Sequence, residues 1–379
     1  MNIPFPSSER STVGIEWELA LVDTDSGDLR QVAQSVLDAV APDDGSEHPL
    51  IRQELLLNTV EVVSGICRTV AEAGADLERA IEEIRAVTDP LRVELMCAGT
   101  HPFARWDNQK VTDKERYATL IDRTQWWGRQ MLIYGVHVHV GIEDRDKVLP
   151  ISAAMLSYYG HLQALSASSP FWGGEETGYA SNRALMFQQL PTAGLPFHFQ
   201  KWSEFEAYVD DMLKTGVIDV LDEIRWDLRP SAKFGTLEVR ICDGIPNMAE
   251  LLSISALTHC LVEHFSRELD EGRALPNLPP WFAQENKWRS ARYGMDAILI
   301  LDEHAEEELV TTDLDRLLTD LEPIAEHLGC VDELGGIRDI MAGGASYQRQ
   351  RDVAEANHGH LDAVVASLVA EMRAGRPLQ

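Results

Sequence analysis

Three segments of the chain alternate apolar and polar residues with the period of a β-strand. They read VGIEWELALV, GVHVHVG and TLEVRIC, and their paired ionisable residues are Glu16 and Glu18, His137 and His139, and Glu238 and Arg240. Side chains at positions i and i+2 point to the same face of a strand. Each segment therefore predicts a strand with one charged face.

The opposite face of each predicted strand is apolar. The alternating apolar residues are Val13, Ile15, Trp17, Leu19 and Leu21 in the first segment, Val136, Val138 and Val140 in the second, and Leu237, Val239 and Ile241 in the third. We expect this face to pack against helices, because the charged face is too polar for a core. The pattern predicts an α+β fold in which the charged face is a working surface.

Further elements follow from the same patterns. The predicted strands are residues 56–65, residues 92–104 where a strand runs into a loop, and a hairpin over residues 224–246 that turns around Pro230 to Gly235. The predicted helices are residues 70–88 after Thr69 and Glu72, residues 113–131, residues 147–166, and nearly everything from Asn247 and Glu250 onward. The strand over residues 56–65 adds Glu61 to the acidic surface, and the hairpin places Arg225 and Arg229 beside Glu238 and Arg240.

Residues 166–183, SASSPFWGGEETGYASNR, are rich in glycine, serine and aromatic residues and show no periodicity. A loop of this length inside a compact domain usually covers a site. Trp126, Trp127, Phe171 and Trp172 could line an adenine or lid pocket, but core or loop packing is favoured for them.

The chain of 379 residues is 45% hydrophobic, which is enough for a buried core, and it shows no repeat or linker, so we expect one domain over residues 1–379. Its 33 basic and 62 acidic residues give a net charge of −29. This charge argues against nucleic acid and anionic membranes as partners. Binding of a polyanion would need divalent cations as a bridge.

The five cysteines show no CxxC spacing, and the N-terminus MNIPFPSSERS lacks a basic stretch followed by an apolar one. No run approaches the roughly 20 apolar residues that cross a bilayer. These features predict a cytoplasmic protein that is not inserted in a membrane.

Carboxylates gathered on one sheet face would repel one another, since two like charges about 4 Å apart cost about 4 kcal/mol at an effective dielectric constant of about 20. Divalent cations remove this cost, and carboxylates with an imidazole suit Mg²⁺ or Mn²⁺. Such ions can bridge the oxygens of ATP and neutralise charge on a transferred phosphoryl group. The expected metal-binding carboxylates are Glu16, Glu18, Glu61 and Glu238.

No GxxxxGK[ST] or strand–helix GxGxxG motif is present, so phosphate must be bound through metals and side chains. The guanidinium of Arg240 or Arg229 suits a substrate carboxylate, because arginine grips carboxylates bidentately. The predicted reaction uses ATP to activate a carboxylate. Taken singly, each pair has a simpler explanation, such as a solvated strand face or a cross-strand ion pair, and it is their coincidence on three strands that favours a site.

At this point the chain resembles a known family. The segments VGIEWELAL, NTVEVVSG, AGTHPFARW, YGVHVHVG, SASSPFWGGEETGYASNR, WDLRPSAKFGTLEVRICD, ENKWRSARYGMDA and SYQRQR are similar, in order, to the motifs of the type-two glutamate-cysteine ligase-like carboxylate-amine ligases. The resemblance implies a curved antiparallel sheet like that of glutamine synthetase and the guanidino kinases. Its concave polar face would hold divalent metals between ATP and an amino-acid carboxylate, with helices on the other face.

The resemblance also implies residue roles. The metal ligands would be Glu16, Glu18, Glu61, Glu238 and His137, with Glu54 as a further ligand. His139 would face the phosphates, Arg240 would stabilise the transferred phosphoryl group or hold the glutamate carboxylate, and Arg229 and Arg225 would assist. Lys233 in the hairpin turn could contact phosphate, although a solvated lysine is equally compatible with the sequence. Arg183, in the candidate lid over residues 168–183, is a further candidate for the substrate carboxylate.

Asn286, Lys287, Arg289 and Arg292 lie where the family has a basic cluster, but an exposed helix face is favoured over a substrate contact for them. The implied substrates are ATP, glutamate, and cysteine or another amine. A glutamate–cysteine ligase is the favoured activity. A ligase for another amine, a guanidino-kinase-like phosphotransferase and a metal-dependent amidohydrolase are the alternatives, and a non-catalytic descendant is the least favoured hypothesis because the ligand positions are intact. The family often forms oligomers, so a homo-oligomer is compatible with the sequence.

Overall fold

A computed structural model of the chain describes residues 2–378. The strands are β1 (Val13–Asp23), β2 (Ile51–Gln53), β3 (Thr59–Val63), β4 (Val93–Met96), β5 (Gly135–Gly141), β6 (Phe171–Trp172), β7 (Glu175–Glu176), β8 (Leu228–Ser231), β9 (Thr236–Asp243), β10 (Ile298–Ile300) and β11 (Glu307–Leu309). The helices are α1 (Ala33–Val40), α2 (Val70–Thr88), α3 (Glu115–Arg129), α4 (Arg145–Met155), α5 (Tyr159–Ser166), α6 (Asn182–Phe187), α7 (Trp202–Lys214), α8 (Met248–Asp270), α9 (Pro280–Tyr293), α10 (Val310–Leu328), α11 (Val331–Gly343), α12 (Ser346–Ala356) and α13 (Leu361–Ala374). Single 3-10 turns cover residues 89–91, 106–108, 156–158, 221–223 and 294–296.

Seven of the strands form one sheet in the order β2-β3-β1-β5-β9-β8, and β4 pairs with the second half of β1. Every pairing in this sheet is antiparallel. The cross-strand pairs on the charged face are Glu16 with His137, Glu18 with Glu61, His139 with Glu238, and Arg229 with Glu238. The register therefore gathers the predicted ionisable residues, and the predicted fold class is confirmed.

The apolar face of the sheet is buried under helices, as the alternation predicts. The alternating apolar residues of β1, β5 and β9 are at most 1% exposed and belong to one hydrophobic cluster with residues of α2, α4, α5 and α8. Trp17 is fully buried there, and its indole N–H donates to the carbonyl of Ile245 at 3.0 Å. Within residues 2–378, no helix is long and apolar enough to cross a bilayer.

Two helix starts follow the predicted capping residues. The Thr69 hydroxyl accepts a hydrogen bond from the backbone N–H of Glu72 at the start of α2, and the Asn247 side chain accepts one from Glu250 at the start of α8. Each cap satisfies an N–H group that has no partner inside the helix. The Glu72 carboxylate accepts a hydrogen bond from the backbone N–H of Arg68 rather than from that of Thr69.

Some predicted elements differ from the structure. The helix over residues 147–166 is two helices, α4 and α5, joined by a 3-10 turn, and α3 leaves helical geometry at Gln125. The region after Asn247 also contains the hairpin β10–β11. The sequence did not predict it, because a short apolar run such as ILIL is compatible with either a strand or a helix. The expectation of packed aromatics is wrong for Trp126 and Trp127, which are 52% and 40% exposed.

The candidate lid is fastened at its base. Its chain carries the small hairpin β6–β7, and a parallel bridge joins Ser169 to Ser181. Buried Asp243 accepts hydrogen bonds from the hydroxyls of both serines, at 2.6 and 2.8 Å. The N–H of Arg183, at the end of the segment, donates to the Ser169 hydroxyl at 3.0 Å. These bonds fix the base of the segment to the end of β9, and its role as a lid stays a prediction.

Candidate functional site

A cavity of about 1110 Å³ lies against the charged face of the sheet. The predicted site residues that line it are Glu16, Glu18, Glu54, Glu61, His137, His139, Arg183, Arg225, Arg229, Lys233 and Arg240. The remaining predicted residue, Glu238, is 1% exposed and lies beneath the lining, bonded to its members. Folding thus brings together residues from five strands, β1, β3, β5, β8 and β9, from α6 and from the adjoining loops.

One part of this surface, the mixed cluster, consists of Glu16, His137, His139, Arg229, Glu238 and Arg240. The Glu16 carboxylate lies 2.8 Å from His137 Nδ1 and 3.1 Å from His139 Nε2. The Glu238 carboxylate accepts a bond from Arg229 at 2.7 Å and another from Arg240 at 2.5 Å. Glu16, His137 and Glu238 each offer one ligand atom within 4.8 Å of the other two.

Charges inside the mixed cluster stabilise one another. Burial alone would raise the pKa of Glu16, but its bonds to His137 and His139 hold that pKa well below the ordinary value. Burial likewise opposes ionisation of Glu238, and Arg229 and Arg240 outweigh it and lower the pKa. Both carboxylates are therefore ionised in the folded protein.

The pKa values of the two histidines are shifted in opposite directions. Burial, followed by the charge of Arg240, lowers the pKa of His137 to about 4, whereas Glu238 and Glu16 outweigh burial and raise the pKa of His139. His139 Nδ1 also lies 2.9 Å from the Thr236 hydroxyl. Neutral imidazole is the form that binds metal, so the lowered pKa gives His137 the protonation state of a ligand, whereas the raised pKa shifts His139 toward the protonated form.

The second part, the acidic triad, consists of Glu18, Glu54 and Glu61. Each offers a carboxylate oxygen within 4.8 Å of the other two. The Glu18 carboxylate accepts a bond from the N–H of Gly135 at 2.5 Å, and the Glu54 carboxylate accepts one from Leu55 at 2.8 Å. Among residues 2–378, no ion pair joins a triad carboxylate to a lysine, arginine or histidine, and the nearest arginines act on the triad only at longer range.

The triad is short of positive charge. Burial, followed by repulsion from Glu54, raises the pKa of Glu18 to about 8. Burial also raises the pKa of Glu54 and of Glu61, the latter well above its ordinary value with further repulsion from Glu16. Three carboxylate oxygens this close suit a hard divalent cation. Such a cation would replace the protons that the triad carboxylates keep because their pKa values are raised.

Arg183 lies against the floor of the cavity and is 4% exposed. A Cβ atom on Gly135 would lie 2.1 Å from the Arg183 guanidinium, so only glycine at that position allows this approach. One Arg183 N–H donates to the carbonyl of Arg240 at 3.3 Å, and the Nε atoms of both arginines are buried with no hydrogen-bond partner. Both guanidinium groups therefore keep unused bonding capacity beside the triad.

Sequence reasoning missed several residues of the cavity wall. Arg116 and Tyr117 of α3 line it near Glu54, and the Arg116 guanidinium lies 4.4 Å from the centre of the Tyr117 ring. Phe187 of α6 supports Arg183 and Arg240, each 5.7 Å from its ring centre. Neither α3 nor α6 carries a pattern that separates these residues from ordinary helix positions.

Two further predicted residues, Arg225 and Lys233, lie on the cavity wall. Arg225 lines the cavity and donates to the Glu223 carbonyl at 3.0 Å, and burial lowers its pKa. Lys233 also lines the cavity, 4.9 Å from the centre of the Phe234 ring.

The expected exposed face of α9 is wrong for Asn286 and Lys287. Lys287 is 2% exposed, and its ammonium lies 2.6 Å from the Asp227 carboxylate, which also accepts a bond from the Tyr159 hydroxyl at 3.0 Å. Asn286 is 1% exposed and bonds the backbone of Ile300. Periodicity did not predict the burial of either residue, because the partners that offset the cost of burying them lie on other elements.

Comparison with known sequences identifies close relatives. The model of glutamate-cysteine ligase family 2 matches residues 12–367. A protein of Arthrobacter sp. (strain FB24), provisionally named glutamate–cysteine ligase 2-1, is 59% identical over 380 residues, covering 99% of each chain. A protein of Mycobacterium tuberculosis (strain ATCC 25618 / H37Rv), provisionally named glutamate–cysteine ligase 2, is 60% identical over 371 residues, covering 98% of this chain and 97% of that one.

A solved structure shares the fold. The glutamate–cysteine ligase of Francisella tularensis, determined in complex with AMP, superposes with a TM-score of 0.68 at 13% sequence identity. The match covers 97% of this chain and 90% of the other. The shared architecture therefore extends over nearly the whole of both proteins.

Proposed function

The chain belongs to glutamate-cysteine ligase family 2, and we propose that it is an ATP-dependent ligase that joins the γ-carboxylate of glutamate to the amino group of cysteine. In this reaction a carboxylate oxygen attacks the γ-phosphorus of ATP and ADP leaves. The amine then attacks the carbonyl carbon of the acyl phosphate, the C–O bond to phosphate breaks, and the amine loses a proton. Phosphorylation is needed because a free carboxylate is a poor electrophile.

The observation that carries this proposal is the adjacency of the two clusters in one cavity. Glu16 and Glu18 are neighbours on the charged face of β1, so the mixed cluster and the acidic triad are about 7 Å apart along the strand. Two anionic substrates can meet in such an acidic cavity only if cations separate them from the glutamates. The two sets of metal ligands would hold such cations, and the arginines around them supply further positive charge.

The donor atoms fit Mg²⁺, with Mn²⁺ as a second choice. Glu18, Glu54 and Glu61 would hold one ion, and Glu16, His137 and Glu238 another. Bound there, the ions supply positive charge to the phosphate oxygens during phosphoryl transfer. The oxygen-rich donor sets and the absence of cysteine from them distinguish these sites from structural zinc sites.

The chain's own side chains would position the two substrates. Arg240 and Arg229 keep Glu238 ionised, and Arg240 would stabilise the transferred phosphoryl group through its unused donors. His139, whose protonated form is favoured by Glu238 and Glu16, would donate to a phosphate oxygen. Arg183 would hold a carboxylate of glutamate beside the acidic triad, and Arg225 and Lys233 would assist from the cavity wall.

The test is ADP release by the full chain with Mg²⁺, ATP and glutamate, with and without a panel of amines led by cysteine, and with products identified by mass. We expect ADP release that depends on cysteine and yields γ-glutamylcysteine. Turnover with a different amine would keep the ligase and replace the acceptor. A phosphorylated guanidino product would support the phosphotransferase, and ATP-independent amide hydrolysis would support the amidohydrolase.

A matched pair of variants ties the activity to the site. Glu61→Gln removes a triad carboxylate, while Glu82→Gln makes the same substitution on the exposed face of α2. Loss of turnover is expected for Glu61→Gln alone. Equal turnover in both variants would contradict the placement of the site. We also place the protein in the cytoplasm, which is consistent with its five free, buried cysteines.

A further inference from the structure

The carboxylate of Asp243, at the end of β9, is buried and takes no part in the proposed reaction. It is 1% exposed and accepts three hydrogen bonds from one stretch of the chain, residues 168–181. The donors are the N–H of Ser168 at 3.0 Å and the hydroxyls of Ser169 at 2.6 Å and Ser181 at 2.8 Å. A buried carboxylate is costly unless it is hydrogen-bonded, so these three bonds tie the segment firmly to the sheet.

Only one of the two serine hydroxyls extends this connection to the cavity. The Ser169 hydroxyl donates to Asp243 and also accepts the backbone N–H of Arg183 at 3.0 Å. Within residues 2–378, the Ser181 hydroxyl makes a single hydrogen bond, the one to Asp243. Both serines are fully buried, so no water replaces these bonds. The backbone of Arg183 is thus joined to the sheet through Ser169.

Few contacts hold the guanidinium of Arg183 itself. Among the described residues, no carboxylate forms an ion pair with it, and the charge of Asp243 acts on it only at longer range. Its Nε has no hydrogen-bond partner, and one N–H donates to the Arg240 carbonyl at 3.3 Å. The guanidinium also lies so close to Gly135 that a Cβ atom there would be 2.1 Å away. Its place in the cavity therefore depends on where the backbone of Arg183 is fixed.

The segment before Arg183 is held from outside the cavity. The N–H groups of Ala180 and Ser181 both donate to the carbonyl of Ala291 in α9, at 2.8 and 2.9 Å. Within the part of the chain that the structure describes, none of residues 167–182 lines the cavity, whereas Arg183 does. Arg183 is therefore the point at which this segment reaches the cavity. The bonds to α9 should keep the path of the segment when a single buried hydroxyl is removed.

We propose that Ser169 and Asp243 are positioning residues for the acid substrate. The assignment rests on the proposed function, in which Arg183 holds a carboxylate of glutamate. Asp243 fixes the Ser169 hydroxyl, and that hydroxyl fixes the backbone from which the Arg183 side chain enters the cavity. A misplacement of about 1 Å at a substrate-positioning group can cost much of an enzyme's efficiency. This link should therefore govern the affinity for glutamate more than that for ATP.

Steady-state kinetics of the full chain with Mg-ATP, glutamate and cysteine tests the link, and the two serines supply a matched pair of variants. Ser169→Ala and Ser181→Ala each remove a buried hydroxyl that donates to Asp243, but only Ser169→Ala leaves the N–H of Arg183 without its acceptor. We expect Ser169→Ala to raise KM for glutamate about fivefold or more, the effect of one lost hydrogen bond, with kcat and KM for ATP changed less than about twofold. Ser181→Ala should leave all three near the wild-type values.

Arg183→Met shows whether Ser169 acts through the arginine. In the Arg183→Met background, Ser169→Ala should not raise KM for glutamate further, because the effects of two residues that share one contact are not additive. Asp243→Asn keeps the size of the buried side chain and should also raise KM for glutamate. It provides the same test if Ser169→Ala does not fold.

Three results overturn the positioning role and leave the ligase standing. They are equal changes in KM for glutamate in Ser169→Ala and Ser181→Ala, a loss confined to Tm in Ser169→Ala or Asp243→Asn, and an additive effect in the Arg183→Met background. Absence of glutamate-dependent ADP release by the unaltered protein overturns the proposed function together with the positioning role.

Discussion

The mixed cluster and the acidic triad occupy neighbouring parts of one sheet face, and they balance their charge in opposite ways. Glu16 and Glu238 are neutralised from within by His139, Arg229 and Arg240. The triad has three carboxylates and no ion-pair partner among the described residues, and burial keeps the pKa of each raised. A metal at the triad thus competes with protons, whereas a metal at the mixed cluster competes with existing ion pairs.

The largest expected effect is on turnover, where the two clusters should behave alike. Glu18→Gln and Glu238→Gln each remove one carboxylate, and we expect each to lower Mg²⁺-dependent ADP release at least about a hundredfold, the scale on which preorganised charge acts in transition states. Glu82→Gln is the control. Wild-type turnover in either variant would exclude that cluster from the active site.

The next effect separates the clusters by stability. Repulsion alone would predict that loss of any of these carboxylates stabilises the metal-free protein. Glu238 instead lies between Arg229 and Arg240, so Glu238→Gln should lower the free energy of unfolding by about 3 kcal/mol, because two half-buried guanidinium groups lose their buried partner. Glu18→Gln should leave that free energy unchanged or raise it.

Urea unfolding in the presence of a chelator measures both variants. Equal destabilisation of the two would break the comparison, since it would mean that the triad carboxylates are as well paired as Glu238.

A smaller effect concerns pH. The pKa of Glu18 is raised to about 8, so between about pH 4.5 and 8 the folded, metal-free protein binds more protons than the unfolded chain. Its free energy of unfolding therefore falls as the pH rises through this window. Mg²⁺ displaces the protons, so the increase in Tm caused by Mg²⁺ should be larger at pH 8 than at pH 6.

Thermal unfolding at the two pH values, with Mg²⁺ or with chelator, gives this difference directly. Glu18→Gln should reduce it. A Mg²⁺ effect that is independent of pH would show that the triad carboxylates are ionised without metal.

The smallest expected effect is confined to the mixed cluster. Thr236→Val removes the hydroxyl 2.9 Å from His139 Nδ1, a single hydrogen bond worth about 1 kcal/mol. We expect kcat to fall several-fold, with the pH dependence of the Mg²⁺ effect on Tm unchanged. A change in that pH dependence would mean that the two clusters are coupled through His139.

Local pattern alone determined much of this protein. The alternation in β1, β5 and β9 predicted which residues share the charged face, and the caps at Thr69 and Asn247 predicted where α2 and α8 begin. These features depend on neighbours two to four positions away, so they are visible in a short window of sequence. The ordered series of family motifs extended the same information to the likeness with glutamate–cysteine ligases.

Only the tertiary structure decided how the ionisable residues divide. Glu16 and Glu18 look equivalent in the sequence, yet one is paired with histidines and the other with carboxylates, because β5 and β3 lie on opposite sides of β1. The burial of Lys287 and the place of Arg183 above Gly135 have the same origin. Charge, burial and clearance depend on distances between atoms that are far apart along the chain, and those distances exist only after the strands have paired.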